Sequence, residues 1–479
     1  MKGFIIASTF LSVVGGVLGG VVSRSQDGKV LISPANGAKN VNPDTHLVLE
    51  FSSPPAIGDS GMIRIYDAAD QKLVDQLDLS VPFSPSPYGN GSTKAPTGDK
   101  TVYQTNIIGG MDFYFFPIIV RENTATVYLH NNKLAYGRTY IVKMDATVLK
   151  PDEGTFDGFC SWVFSTKDQG PKPGTTEVVV AADGSGDFNT VQGAIDWAPA
   201  NPTKRTNILI KDGNYEELVY FRYKTNLTIR GQSRNKTIVG YPNNSAFNPP
   251  GREGPSRRPA FSFHGVSDVQ LSTFTINNYY SGQAEALLVE GVRVLLDRLT
   301  LVGSGDAFTT YGTIYVADSK LTGDGDTVLG YGSVYWLRSE IVSKRGSVTW
   351  TRTAQGDHGN VFVDSTISGG EGSKVTFARL PDNSGGVMDN WPFAEMVLID
   401  TRTANVSPQG WGPVQGLPFD SSQVRFWEFN TMDLEGNPVD MSQRLNVSRQ
   451  LTLPADADII AKYRDPAYVL GGWTPVVLS

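Results

Sequence analysis

Scarcity narrows this chain before any motif is read. It has one cysteine in 479 residues, Cys160, so no internal disulfide can form and stability must come from a packed core. Cys160 falls in a strand pattern, which predicts a buried thiol. The four histidines, His46, His130, His264 and His358, show no ligand spacing to one another. His358 in Gly-Asp-His-Gly reads as a turn residue, and chemistry run by paired carboxyls needs no metal or organic cofactor. No Lys/Arg-rich block occurs and the net charge is −7, which argues against nucleic acid as a partner. An acidic polymer would have to be held by local cations. Long apolar runs are also missing. Residues 4–14, behind Lys2, form a run that Gly15, Gly16, Gly19 and Gly20 interrupt, too short to span a bilayer. Residues 1–19 read as a signal peptide, with cleavage after Gly19 or after Ser23. The expectation is a secreted, extracellular protein with no membrane attachment after signal removal.

Glycine, at 51, and proline, at 28, are plentiful, so turns should be many and long helices few. The length favours two domains. Residues 28–166 read as a small immunoglobulin-like β-sandwich, with strands expected at 41–51, 62–66, 126–129, 139–143 and 161–165, and a long loop near 84–100. Residues 167–176 contain Gln169-Gly170-Pro171-Lys172-Pro173-Gly174, a linker by composition. Residues 177–479 are then a second domain, expected to fold and act alone, as a monomer.

In that second domain short β-rich segments recur at 269–271, 294–296, 314–316, 334–336 and 361–363. A period near twenty indicates a solenoid whose rungs stack. Ser304-Gly305-Asp306 and Asp324-Gly325-Asp326 lie one such period apart. Residues one coil apart sit roughly 4.8 Å from each other along the stack. Asp306 and Asp326 should thus be stacked carboxyls, one of them pushed towards its acid form. That pairing supplies an acid and a nucleophile. It is equally an aspartate ladder at a solenoid corner, as Asn277 and Asn278 are corner residues, and spacing alone leaves both readings open.

Residues 178–198 run from Val-Val-Val-Ala-Ala-Asp-Gly-Ser-Gly-Asp-Phe-Asn-Thr-Val-Gln into a helix, with Asn189 or Thr190 as its N-cap. Gly213-Asn214-Tyr215-Glu216-Glu217, Asn226-Leu227-Thr228-Ile229-Arg230-Gly231, Gln283-Ala284-Glu285-Ala286-Leu287, Gly305-Asp306-Ala307-Phe308, Asp326-Thr327-Val328-Leu329-Gly330 and Phe377-Ala378-Arg379-Leu380-Pro381 follow. Together these segments resemble the pectin methylesterases. The resemblance implies an all-β chain with a right-handed parallel β-helix. It implies hydrolysis of methyl esters on pectin, a homogalacturonan polysaccharide, with Asp326 as nucleophile, Asp306 as acid/base, Gln283 as oxyanion donor and Arg379 orienting the nucleophile. The place of a second oxyanion glutamine is taken by Gly305, and Leu380-Pro381 stand where a tryptophan follows the arginine.

Tyr311 and Tyr331 follow the aspartates and are candidates to stack on sugar rings or to pack. Trp391 either reaches the groove from a loop or packs as a core aromatic. Six Asn-x-Ser/Thr sequons stand at Asn90, Asn226, Asn235, Asn243, Asn405 and Asn446. Two other classes compete with the esterase: a β-helix polysaccharide lyase or glycosidase, and a β-helix carbohydrate-binding protein with weakened or lost activity. A lyase would want an acidic calcium cluster, and a glycosidase a denser set of aspartates; neither pattern is evident.

Overall fold

The computed structural model describes residues 23–24, 30–87, 102–152, 154–250, 255–380, 391–412 and 420–478. The expected signal segment, most of the 84–100 stretch and Asn90 lie outside them.

The first part of the chain forms two five-stranded sheets. One includes Leu31–Ser33, Leu47–Glu50, Thr124–Val127 and Ile118–Arg121; the other includes Phe159–Thr166, Thr139–Met144, Met62–Asp67 and Leu73–Asp78. Alternation decides which side chains enter the core: Ile63 and Ile65 from one strand, Trp162 and Phe164 from another. Cys160 corrects the expectation of a buried thiol. Phe159 and Trp162 take the buried positions of that strand and Cys160 is exposed.

From Glu177 onward the pattern becomes parallel. A fifteen-stranded and an eight-stranded sheet run side by side, every strand pair in them parallel, and the chain is the expected all-β parallel β-helix. Its interior is built in columns. Ile229, Leu271, Leu296, Val316, Trp336, Phe362 and Leu398 pair in register on successive rungs, and all are buried. Each such side chain contributes about 1.5–3 kcal/mol when fully withdrawn from water. The outer face is covered near the C-terminus, where the helices Ala457–Arg464 and Pro466–Val469 belong to a core with Tyr315, Tyr335, Val361 and Val397.

Along one corner a column of serines joins the rungs. The Leu299 N–H donates to Ser319 Oγ at 3.0 Å, the Ser319 N–H to Ser339 Oγ at 3.3 Å, and the Ser339 N–H to Ser365 Oγ at 3.1 Å. Each hydroxyl donates in turn to a carbonyl two residues back in its own rung.

The two parts of the chain are not independent bodies. Asp44, in the turn before Leu47–Glu50, accepts hydrogen bonds from the Asn189 and Thr190 N–H groups, both at 2.8 Å. Thr190 is the N-cap of the helix Val191–Trp197 and accepts from the Gly193 N–H. Glu217 caps the same helix, taking the N–H groups of Val191 and Gln192 at 2.7 and 2.9 Å. One hydrophobic core contains Phe113, Phe115 and Ile118 of the first part together with Tyr220, Tyr241, Phe247 and Ala260 of the solenoid. Residues 177–479, expected to fold and act alone, thus share one buried core with the first part of the chain. Among the described residues, no helix is long and apolar enough to cross a membrane.

Candidate active site

Asp306 and Asp326 stand just before the strands Phe308–Ala317 and Val328–Gly330, each in the left-handed region, at φ 57° and 42°. Aspartate tolerates that conformation better than most residues. Phe308 pairs with Val328, so the aspartates occupy matching places on adjacent rungs, and the Asp306 N–H reaches the Gly325 carbonyl at 3.3 Å.

Their surroundings differ. Arg379 donates to both oxygens of Asp326, Nε at 2.9 Å and Nη2 at 2.6 Å, the forked geometry of a guanidinium on a carboxylate. Arg379 comes from the strand Thr376–Arg379, in register with Trp350 on the rung below. Asp306 is buried, and burial raises its pKa. Arg258, with Nη2 at 3.2 Å from Asp306 Oδ2, opposes that shift, and Asp326 adds to it. The like charge one rung away, expected to be the cause, is thus the smaller one; burial leads.

Gln283 is half-buried and forms a parallel bridge with Gly305. A Cβ at Gly305 would lie 2.8 Å from the Gly282 carbonyl oxygen, so backbone crowding explains why this place holds glycine.

An aromatic and cationic wall flanks the pair. Tyr311 and Tyr331 stack on each other at 4.8 Å and 12°, one rung apart, so each covers one face of the other. Trp391 meets Tyr331 edge-on at 6.0 Å and packs against the solenoid core, as expected of a core aromatic. Arg352 lies over Tyr331 at 4.7 Å and over Trp350 at 3.8 Å, and Arg379 lies 4.0 Å from the Trp350 ring. Cations on aromatic faces are held by the ring quadrupole.

The structure therefore brings together Asp306, Asp326, Arg379, Tyr311, Tyr331 and Trp391, with Gln283 alongside Gly305. Sequence reading missed Arg258, Glu285, Trp350 and Arg352. Glu285 was visible as a charge inside the Gln-Ala-Glu-Ala-Leu segment. Trp350 lies in the strand Ser347–Thr351 and Arg352 one residue past its end, and the two side chains meet at 3.8 Å.

His358 is more than a turn residue: its Nδ1 lies 2.9 Å from Glu395 Oε1. Among the sequons, Asn235, Asn405 and Asn446 are exposed and Asn226 half-buried. Asn243 is a correction. It is fully buried, and its amide nitrogen donates to the carbonyls of Arg257 and Pro259 at 2.8 and 2.9 Å, so the folded chain offers no acceptor there.

The pectinesterase family model matches residues 177–451. Probable pectinesterase 56 of Arabidopsis thaliana is 42% identical over 78 residues, 16% of this chain and 27% of that protein. Pectinesterase 4 of the same plant is 26% identical over 280 residues, 53% of this chain and 45% of that protein. The chain thus spans less than half the length of these relatives. The solved pectin methylesterase of Erwinia chrysanthemi superposes over 64% of this chain and 100% of its own, with a TM-score of 0.51 and 22% identity, a likeness of fold.

Proposed function

The chain belongs to the pectinesterase family, and we propose that it is a carboxylic ester hydrolase that removes methyl esters from pectin, releasing methanol. The observation that carries this reading is the unequal treatment of two aspartates on adjacent rungs. One is gripped by a guanidinium fork, and the other is buried with a raised pKa.

In this reading Asp326 attacks the ester carbonyl, and Arg379 keeps its carboxylate oriented. Gln283 donates to the oxyanion of the tetrahedral intermediate; one such donor is worth roughly 10²–10³ in rate. Asp306 gives its proton to the departing methanol. The acyl–Asp326 anhydride is then opened by water, with Asp306 as the base that takes the water proton. The proton count closes, since Asp306 ends as it began. Tyr331, Trp391 and Arg352 form the wall along which a galacturonan would lie, and Arg352 offers a local cation to an acidic polymer. Substrate of this kind lies outside the cell, and the apolar run at 4–14 is the proposed export signal. Action as a monomer, and glycosylation at the exposed sequons, are part of the same proposal.

The test is methanol release from highly methylated pectin with a chelator present, followed by analysis of the polymer. Methanol without chain cleavage supports an esterase. Unsaturated or shortened products would indicate a lyase or glycosidase, and binding without either product would indicate an inactive carbohydrate-binding protein.

A further inference from the structure

A third carboxyl lies beside the aspartate pair, and no step above uses it. Glu285 is fully buried, and burial pushes its pKa up to about 7. Its Oε1 accepts from Arg258 Nε at 2.7 Å and from Thr309 Oγ1 at 3.2 Å, while its buried Oε2 has no hydrogen-bond partner. The same guanidinium reaches Asp306 through Nη2. One cation therefore serves two buried carboxyls.

Arg258 is held in place from behind. The buried amides of Asn243 and Asn278 donate to the carbonyls of Arg257, Pro259 and, at 3.4 Å, Arg258 itself. Asn278 also donates to the Glu285 carbonyl at 2.8 Å, which fixes both ends of the ion pair to one corner of the solenoid.

We infer that Arg258, anchored by Glu285, is a positioning residue for the reaction: it holds the Asp306 carboxyl and stabilises the carboxylate that Asp306 becomes on giving up its proton. This rests on the esterase reading above. The charged groups acting on Asp306 include Arg258, Asp326, Arg352 and Arg379, and Glu285 and Asp306 act on each other; those acting on Arg258 include Glu285, Asp306 and Tyr311. One guanidinium is shared by two carboxyls, and burial raises the pKa of both; in this reading Asp306 carries the proton that goes to the leaving alcohol, and Glu285 competes with it for Arg258. When the O–H bond to the alcohol forms, the Asp306 O–H bond breaks and its negative charge falls beside Arg258. When water attacks the anhydride, the proton returns.

The charges predict opposite shifts in the high-pH limb of kcat/KM, which reports loss of the Asp306 proton. Arg258→Gln takes the cation from Asp306 and should move that limb up by about one pH unit. Glu285→Gln leaves Arg258 to Asp306 alone and should move it down by a similar amount. Arg258→Lys should fall between wild type and Arg258→Gln, and the double glutamine variant should return close to wild type. The assay is methanol release from methylated pectin across the pH range, with folding followed by circular dichroism. Turnover that falls in both single variants with an unmoved limb, or with limbs that move the same way, overturns the inference. If Arg258→Gln does not fold, Glu285→Gln and Arg258→Lys decide it. Wild-type protein that releases no methanol removes the esterase reading, and this inference with it.

Discussion

Arg379 and Asp326 face each other through two parallel hydrogen bonds, at 2.9 and 2.6 Å, although 53 residues separate them in the chain. A lysine keeps the charge of Arg379 but not its planar fork. Arg379→Lys should therefore lower kcat by about 10²-fold, as misorientation of a reacting group does. Asp326→Asn should abolish methanol release, because an amide does not attack the ester. Wild-type turnover in folded Asp326→Asn would end the nucleophile assignment.

Asp306→Asn should cost about 10²–10⁴ in kcat, since the leaving methanol is then unassisted and the anhydride lacks a base. Gln283→Ala should lower kcat more than it raises KM, the mark of a donor used on the oxyanion. Steady-state kinetics on both variants separate these effects; a pure KM change for Gln283→Ala would make that residue a binding group.

Restoring a glutamine at Gly305 should bring no gain. The Cβ would meet the Gly282 carbonyl at 2.8 Å, against backbone that the Gly305 N–H itself bonds at 2.7 Å. Gly305→Gln is expected to lower both the melting temperature and the turnover. An increase in methanol release would show that this corner can move.

Burial pushes the pKa of Glu217 from 4.5 to about 7, against the pull of the Gln192 and Val191 N–H groups. The folded state thus holds this proton more tightly than the unfolded chain. The stabilisation is complete below pH 4.5 and is lost as pH rises towards 7. Melting temperature should fall across that window, and less steeply in Glu217→Gln. Glu285, raised to the same value, keeps part of the slope. Parallel slopes for wild type and variant would exclude Glu217 as a contributor.

Residues 177–479 expressed alone should be poorly soluble or inactive. Removing the first part uncovers Tyr220, Tyr241 and Phe247 and takes Asp44 from the helix Val191–Trp197. It also breaks the contact of Arg257 with Asp112, at 3.0 Å, next to Arg258. A soluble fragment with full turnover would show that the first part only covers the solenoid. Co-expression of the two halves, scored by recovered turnover, tests whether the interface rebuilds.

The repeat of strands and the two Gly-Asp pairs were legible because a solenoid converts sequence period into spatial adjacency. Asp306 and Asp326 could be stacked by counting, and Arg379 was found by its motif. Arg258 could not be found this way. It sits in a segment between strands, 27 residues before its partner Glu285, and follows no repeat. The contact of Asp44 with Thr190 spans 146 residues and joins two different architectures, so no local pattern signals it. Asn243 misled because a sequon is read along the chain, while acceptor status depends on whether the amide faces water. Here it faces the backbone beneath Arg258.

The serine column has a consequence for how this molecule tolerates change in length. Its links span 20, 20 and 26 residues, yet the hydrogen bonds at that corner stay alike. The extra residues of the longest link emerge between the strands Ser347–Thr351 and Asn360–Val363, where Arg352 stands beside Tyr331. The serine corner is therefore a fixed seam, and the added length of that rung is taken up at another corner. The longer connection at 352–359 leaves the stacking of its rung on the next unchanged at the seam. Loss of a single seam hydroxyl, such as that of Ser339, is felt by the rungs on both sides of it.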